Sequence, residues 1–208
     1  MDFGLWLSFF AASLALSVAP GPDNLFVLTQ SAVYGVKAGL TVMLGLCTGL
    51  VVNTLLAAAG LAAVVAAVPA LFWGIRLLGA AYLLYLAWQA WRHSNEVSEG
   101  PKGTALSGAA LYRRGVIMNL TNPKVQIFFL AFFPQFVRPG TEGWALVLQM
   151  IIQGITFILA TLIVFSAVAW GAGTLADKMR NPRVQRFLNR GSAVIFLVLA
   201  VFTIASGR

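Results

Sequence analysis

Ala19-Pro20-Gly21-Pro22-Asp23-Asn24 and Asn119-Leu120-Thr121-Asn122-Pro123-Lys124 each set proline and then a charge within an otherwise apolar region. Proline has no N–H to give to a helix, and its ring clashes with the preceding turn. Each stretch therefore interrupts a helix and leaves backbone carbonyls and amides without partners. In hydrocarbon such groups must be satisfied, so unwound backbone survives at membrane depth only against protein or beside a wet cavity. Read as breaks inside two membrane-crossing helices, these stretches decide the fold.

The remainder of the chain agrees with a bilayer as solvent. Of 208 residues 60% are hydrophobic and 10% charged, with a mean hydropathy of +0.86, whereas roughly a quarter of the residues in a soluble domain are charged. Uncharged runs cover Phe3 to Pro22, Asn24 to Val36, Ala38 to Ile75, Leu77 to Trp91, Gly143 to Ala176 and Gly191 to Gly207. About 20 apolar residues span a membrane, and Pro69 after Val68 divides the longest run into a hairpin. The expected fold is all-α, with transmembrane helices over 4–34, 38–67, 70–92, 114–137, 143–171 and 190–206. The opening segment reads as a retained helix, because Asp2 stands where a secretory signal carries positive charge. The lone Cys47 lies inside an apolar run and reads as a small core filler.

A net charge of +8 could suggest nucleic acid, but the cations sit in gaps between apolar runs rather than across a folded face with readout residues, so no nucleic-acid partner is expected. Lys37, Arg92, Lys102, Arg113, Arg114, Lys178, Arg180, Arg183, Arg186 and Arg190 fall on one side, and Arg76, Arg138 and Arg208 on the other. This bias places the basic side in the cytoplasm and both termini outside it. The basic loops are expected to touch anionic lipid head groups.

Pro22 aligned with Pro123 gives an offset of 101 residues, at which the second helix falls on the fifth. The third matches the sixth after an insertion that the polar stretch from Asp177 to Asn189 can supply. One transporter domain over 1–208 is thus expected to comprise repeat 1 (1–92), a polar loop (93–112) and repeat 2 (113–208). Three helices per repeat reverse direction across the membrane, giving the inverted repeats typical of secondary transporters, whose interrupted helices meet near the midplane.

A lone charge at the bilayer centre costs about 2.5–3.5 kcal/mol on insertion scales, so Asp23 and Lys124 are expected to face each other, a cavity or a substrate. An ion pair bridging the repeats is the structural alternative. The candidate binding set is Asp23, Asn24, Asn53, Asn119, Asn122, Lys124, Gln149 and Gln153, with Pro20, Gly21, Pro22 and Pro123 as the breaks. Gln149, Gln153 and Thr156 lie on one helical stripe, as do Gly45, Gly49 and Asn53. The glycines equally suit close helix packing, and Asn53, Gln149 and Gln153 equally suit interhelical hydrogen bonds. Tyr82 and Tyr85 read as packing residues. His93, at a loop edge beside Arg92, is assigned no role.

At these two motifs the chain resembles the LysE/RhtB family of amino-acid exporters. The match rests on Pro20-Gly21-Pro22-Asp23, on Asn119 to Lys124 and on the following run from Ile127 to Phe136. It continues through the glycine-bearing second helix, Gly79-Ala80-Ala81-Tyr82-Leu83 and the central loop. The resemblance implies export of amino acids or close derivatives across the bacterial inner membrane, driven by protons, with no cofactor. An amino-acid zwitterion carries the charges that Asp23 and Lys124 complement: Asp23 would hold the ammonium and serve the proton, while Lys124 and freed amides would hold the carboxylate. The alternative is a transporter of another small solute or a metal ion on the same fold. Hard cations want several oxygen ligands and soft ones want sulfur, which one carboxylate opposite a lysine does not supply, so no metal site is expected. No nucleophile and base grouping points to an enzyme. The small-residue stripes permit a homodimer without requiring one.

Overall fold

The computed structural model describes residues 3–67, 69–92, 94, 105–138, 140–172 and 181–205. Most of the expected polar loop lies outside them, including His93, Glu96, Glu99, Gly100, Pro101, Lys102 and Gly103. So do Val68, Asp177, Lys178, Arg180 and Arg208.

Every regular element among the described residues is helical. Helix α1 (Phe3–Val18) stops before Ala19-Pro20, because the residue preceding proline is pushed out of helical geometry. Helix α2 (Pro22–Tyr34) starts with proline in its first turn, where the missing N–H costs nothing, and the two helices meet at a 61° bend. Gly35, at φ 88°, closes α2 in a conformation that a side chain would strain, and α3 (Val36–Ala67) follows directly. Helix α4 (Pro69–Arg92) completes the first half.

Helix α5 (Gly108–Thr121) begins inside the expected polar loop, six residues before the expected start at 114. The cause is local: the Ser107 hydroxyl accepts the Ala110 N–H at 3.3 Å, which caps a helix whose first residues are small. After the break, α6 (Pro123–Ile127) widens into a π turn (Phe128–Phe132) and tightens into a 3₁₀ turn (Phe133–Phe136) around Pro134. Helix α7 spans Gly143–Trp170. Helix α8 spans Pro182–Ala205, eight residues longer at its start than expected. Asn181 accepts the Arg183 N–H at 2.9 Å, and Pro182 occupies the first turn. The stretch from Pro182 to Asn189 is thus the basic first turns of the last helix, with Gln185 on its buried side.

Helices α3 (over Val36–Gly60), α7 and α8 are long and apolar enough to cross a membrane, and α1 with α2 qualifies as one bent span. Their outer faces show Leu44, Val51, Ile152, Leu159, Val194 and Val201, apolar surface that lipid rather than water covers. Inside, α3 packs on α5 and α7, and α4 packs on α8. One core is aromatic: Phe9 of α1 meets Phe128, Phe133 and Phe136 with ring centroids 5.2–5.9 Å apart. A second core gathers Phe26, Val42, Leu46, Leu111 and Phe165, with Cys47 at its edge as the expected filler.

Candidate functional site

The two breaks come together. Asp23 in the first turn of α2 and Lys124 in the first turn of α6 are 4% and 8% exposed, respectively. The Asn122 amide at the second break donates to Asp23 Oδ2 at 2.8 Å, and its own carbonyl oxygen accepts the Lys124 N–H at 3.0 Å. One side chain thus caps α6 and ties the carboxylate of the other half to that cap.

The direct ion pair between Asp23 and Lys124, the structural alternative, does not form. The Lys124 ammonium instead donates to the Leu16 carbonyl at 3.2 Å and the Ala19 carbonyl at 3.0 Å. Those oxygens belong to the end of α1, where a helix has unbonded carbonyls and partial negative charge. Lys124 therefore serves as the C-terminal cap of the broken helix opposite it. The same break is closed from its own half by Asn24, whose amide donates to the Ser17 carbonyl at 2.8 Å. At the second break Gln126 has that role, donating to the Leu120 carbonyl at 2.9 Å. Each interruption is thus satisfied by an amide a few residues downstream, and the first also by a cation from the other half.

Two cavities meet at Lys124. The smaller, about 20 Å³, is lined by Ser17, Asp23, Leu50, Asn119, Lys124 and Phe157, among others. It is the size of one water molecule, and Asp23 Oδ1 and Ser17 Oγ are buried there without hydrogen-bond partners. The larger, about 540 Å³, runs from Pro20, Gly21, Pro22, Asn122, Pro123 and Lys124 to Tyr82 and Gln89 of α4 and Asn189 and Ser192 of α8. That volume lies in the range of small-molecule sites, roughly 300–1,000 Å³. Asp23 lines only the smaller cavity and Asn122 only the larger, so the carboxylate sits one hydrogen bond behind the larger cavity's wall.

Asn53 and Asn119 form a bridge between the halves: the Asn53 amide donates to Asn119 Oδ1 at 3.1 Å, and Gln126 donates to Asn53 Oδ1 at 3.0 Å. Gln149 and Gln153 stand apart from both cavities. Gln149 secures the turn before α7, accepting the Arg138 N–H at 3.1 Å and donating to Thr141 at 3.1 Å. Gln153 is fully buried with neither amide atom bonded. Thr156, on the same stripe, accepts the Trp6 indole N–H at 3.0 Å. The stripe faces the core but not the site. Gly45 and Gly49 prove to be packing positions: a Cβ on Gly49 would lie 2.6 Å from Asn119 Cβ, and one on Gly45 would run into the Tyr112 carbonyl.

Sequence reasoning missed Tyr82, Gln89, Asn189, Ser192 and Gln126. Tyr82, read as packing, lines the larger cavity. The polar residues Tyr82 and Gln89, Asn189 just before the expected start of the last helix and Ser192 just inside it were the available signal. Among the described residues no three His, Cys, Asp or Glu side chains gather as a metal group.

A family model described as LysE type translocator matches residues 14–207. A homoserine/homoserine lactone efflux protein of Salmonella typhimurium is 30% identical over 208 residues, covering 100% of this chain and 99% of its own. An uncharacterized membrane protein of Vibrio cholerae serotype O1 is 32% identical over 197 residues, 95% of each chain. A leucine efflux protein of an Enterobacter species is 32% identical over 171 residues, covering 79% of this chain and 81% of its own. No solved structure matches the chain.

Proposed function

The chain belongs to the LysE type translocator family, and from that premise we propose that it exports amino acids or close derivatives from the cytoplasm across the bacterial inner membrane. The observation that carries this reading is the meeting of Asp23 and Lys124 at two helix breaks beside a cavity of about 540 Å³. The efflux activities named for its relatives supply the direction of transport.

The chemistry follows from the unpaired arrangement of the two charges. A substrate carboxylate entering the larger cavity draws the Lys124 ammonium away from the Leu16 and Ala19 carbonyls. These oxygens, next to Asp23, then accept the ammonium of the substrate, which has the same chemistry as the group it replaces. Asp23 Oδ1, unpartnered at the smaller cavity, is the atom at which a coupling proton is taken up. Proton and substrate thus meet at opposite sides of one side-chain pair.

Alternating access is the motion this arrangement suits, with six spans as two inverted repeats. The packing supports the repeat: α1 on α7 and α3 on α5 exchange under it, while α3 on α7 and α4 on α8 map onto themselves. The larger cavity takes the C-terminal half of α4 and the N-terminal half of α8, the ends that carry Arg92, Arg183, Arg186 and Arg190. By the charge bias those ends are cytoplasmic, so this conformation admits substrate from inside. The Phe9, Phe128, Phe133 and Phe136 cluster lies on the other side of the breaks along α1 and α6 and closes the outer half.

Efflux from preloaded cells tests the reading. Asp23→Asn and Lys124→Met are expected to abolish export of every amino acid tried while the proteins still reach the membrane. Normal efflux by both variants would leave the pair as scaffolding.

A further inference from the structure

The larger cavity is chemically one-sided. Of the described residues that line it, Lys124 alone carries a charge, and the wall facing Lys124 presents the neutral polar side chains of Tyr82, Gln89, Asn189 and Ser192 beside Leu86 and Phe196. Asp23 lines the other, water-sized cavity, and its Oδ1 has no hydrogen-bond partner. The nearest charges along α4 and α8 are again positive. The Arg92 guanidinium lies 5.0 Å over the Trp88 ring, and that of Arg190, next in the chain to Asn189, lies 5.1 Å over Trp91. Both arginines are exposed at the basic ends of their helices.

We infer that the larger cavity selects amino acids whose side chains carry no positive charge, and that Tyr82, Gln89, Asn189 and Ser192 are its specificity-determining residues. This rests on the export reading above. A substrate whose carboxylate is held at Lys124 directs its side chain toward α4 and α8. There a hydroxyl or amide meets polar side chains, of which Gln89 is itself bonded to the Tyr85 hydroxyl and Ser192 to the Leu188 carbonyl, and an alkyl group meets Leu86 and Phe196. Among the described residues, a second ammonium or a guanidinium finds no carboxylate there, and two arginines stand farther along the same helices. Taking an unpaired charge out of water costs several kcal/mol, and each 1.4 kcal/mol is a factor of ten, so lysine and arginine are disfavoured at least about tenfold.

Counterflow into proteoliposomes loaded with a neutral amino acid measures this directly, with homoserine, threonine, leucine, lysine and arginine as external competitors. The unaltered protein is expected to exchange one or more of the three neutral amino acids at least about tenfold faster than lysine or arginine. Gln89→Glu keeps the side chain's shape and adds the missing carboxylate, and Ser192→Asp adds one deeper in the wall. Either variant is expected to bring lysine to within about threefold of the preferred neutral substrate. Equal exchange of lysine and leucine by the unaltered protein overturns the inference and leaves export standing. Exchange of no amino acid of either kind removes the export reading and the inference with it. A carboxylate in both variants that leaves lysine excluded assigns the selection to some other wall.

Discussion

Lys124 is held by two backbone carbonyls rather than by a carboxylate, so its ammonium can leave without breaking a hydrogen bond to Asp23. Its surroundings are close: a Cβ on Gly21 would lie 3.3 Å from Lys124 Nζ. Arginine keeps the charge but brings a planar five-donor group larger than an ammonium. Lys124→Arg is therefore expected to insert in the membrane and lose efflux by about tenfold or more, the 1.4 kcal/mol or so that one displaced charged hydrogen bond is worth. Retention of full efflux in the cell assay would show that charge alone suffices. Gln153 offers the opposite test, because a buried amide with no partner costs about 1–3 kcal/mol. Gln153→Leu is expected to raise the thermal midpoint in detergent by an amount equivalent to about 1 kcal/mol. Lost efflux at a raised or unchanged midpoint would return Gln153 to the transport path. At this scale the sequence made the central pair and both breaks legible, because charge after proline in hydrocarbon has few explanations. It did not reveal that Lys124 caps α1, since that contact crosses from one repeat to the other and depends on which carbonyls the first break leaves open.

Helices α3 and α5 owe their proximity to glycine. A Cβ on Gly115 would clash with the Val42 carbonyl, just as one on Gly45 would with Tyr112, and the Thr48 and Tyr112 hydroxyls meet at 2.7 Å beside this contact. Gly45→Val and Gly115→Val must force the helices apart, and overpacking of this kind costs about 1–3 kcal/mol. Both are expected to lower the thermal midpoint in detergent, and to disturb the Asn53 to Asn119 bridge that α3 and α5 share further along. A midpoint unchanged by both substitutions would mean that this contact contributes little. Element boundaries were legible where glycine follows an apolar helix, as Gly171 follows Trp170, and illegible where a cap lay in polar sequence. Ser107 and Asn181 each start a helix inside a stretch whose composition reads as loop, because one side-chain hydrogen bond outweighs the absence of apolar periodicity over a single turn. The widening of α6 at Phe128–Phe132 had no sequence signal beyond Pro134 nearby. Such π turns often mark points where a helix is rebuilt during function.

Across the whole molecule, one conformation leaves a cavity toward the basic ends of α4 and α8 and packs phenylalanines around α1 and α6 on the other side of the breaks. The chain holds a single cysteine, Cys47, buried in the second core, so Cys47→Ala gives a background in which one introduced thiol reports one position. Ser192→Cys lines the larger cavity, whereas Phe132→Cys lies in the aromatic cluster, 1% exposed. A membrane-impermeant thiol reagent is expected to label Ser192→Cys in inside-out vesicles and not in intact cells, with a transported amino acid slowing the reaction. Phe132→Cys is expected to stay unlabelled from both sides until substrate is added, and then to react from outside as the outer half opens. The two sites report on different properties, orientation and gating. Labelling of Ser192→Cys from outside in resting cells reverses the orientation read from the loop charges. Labelling of Phe132→Cys that ignores substrate leaves the orientation intact and removes the aromatic cluster as the moving barrier.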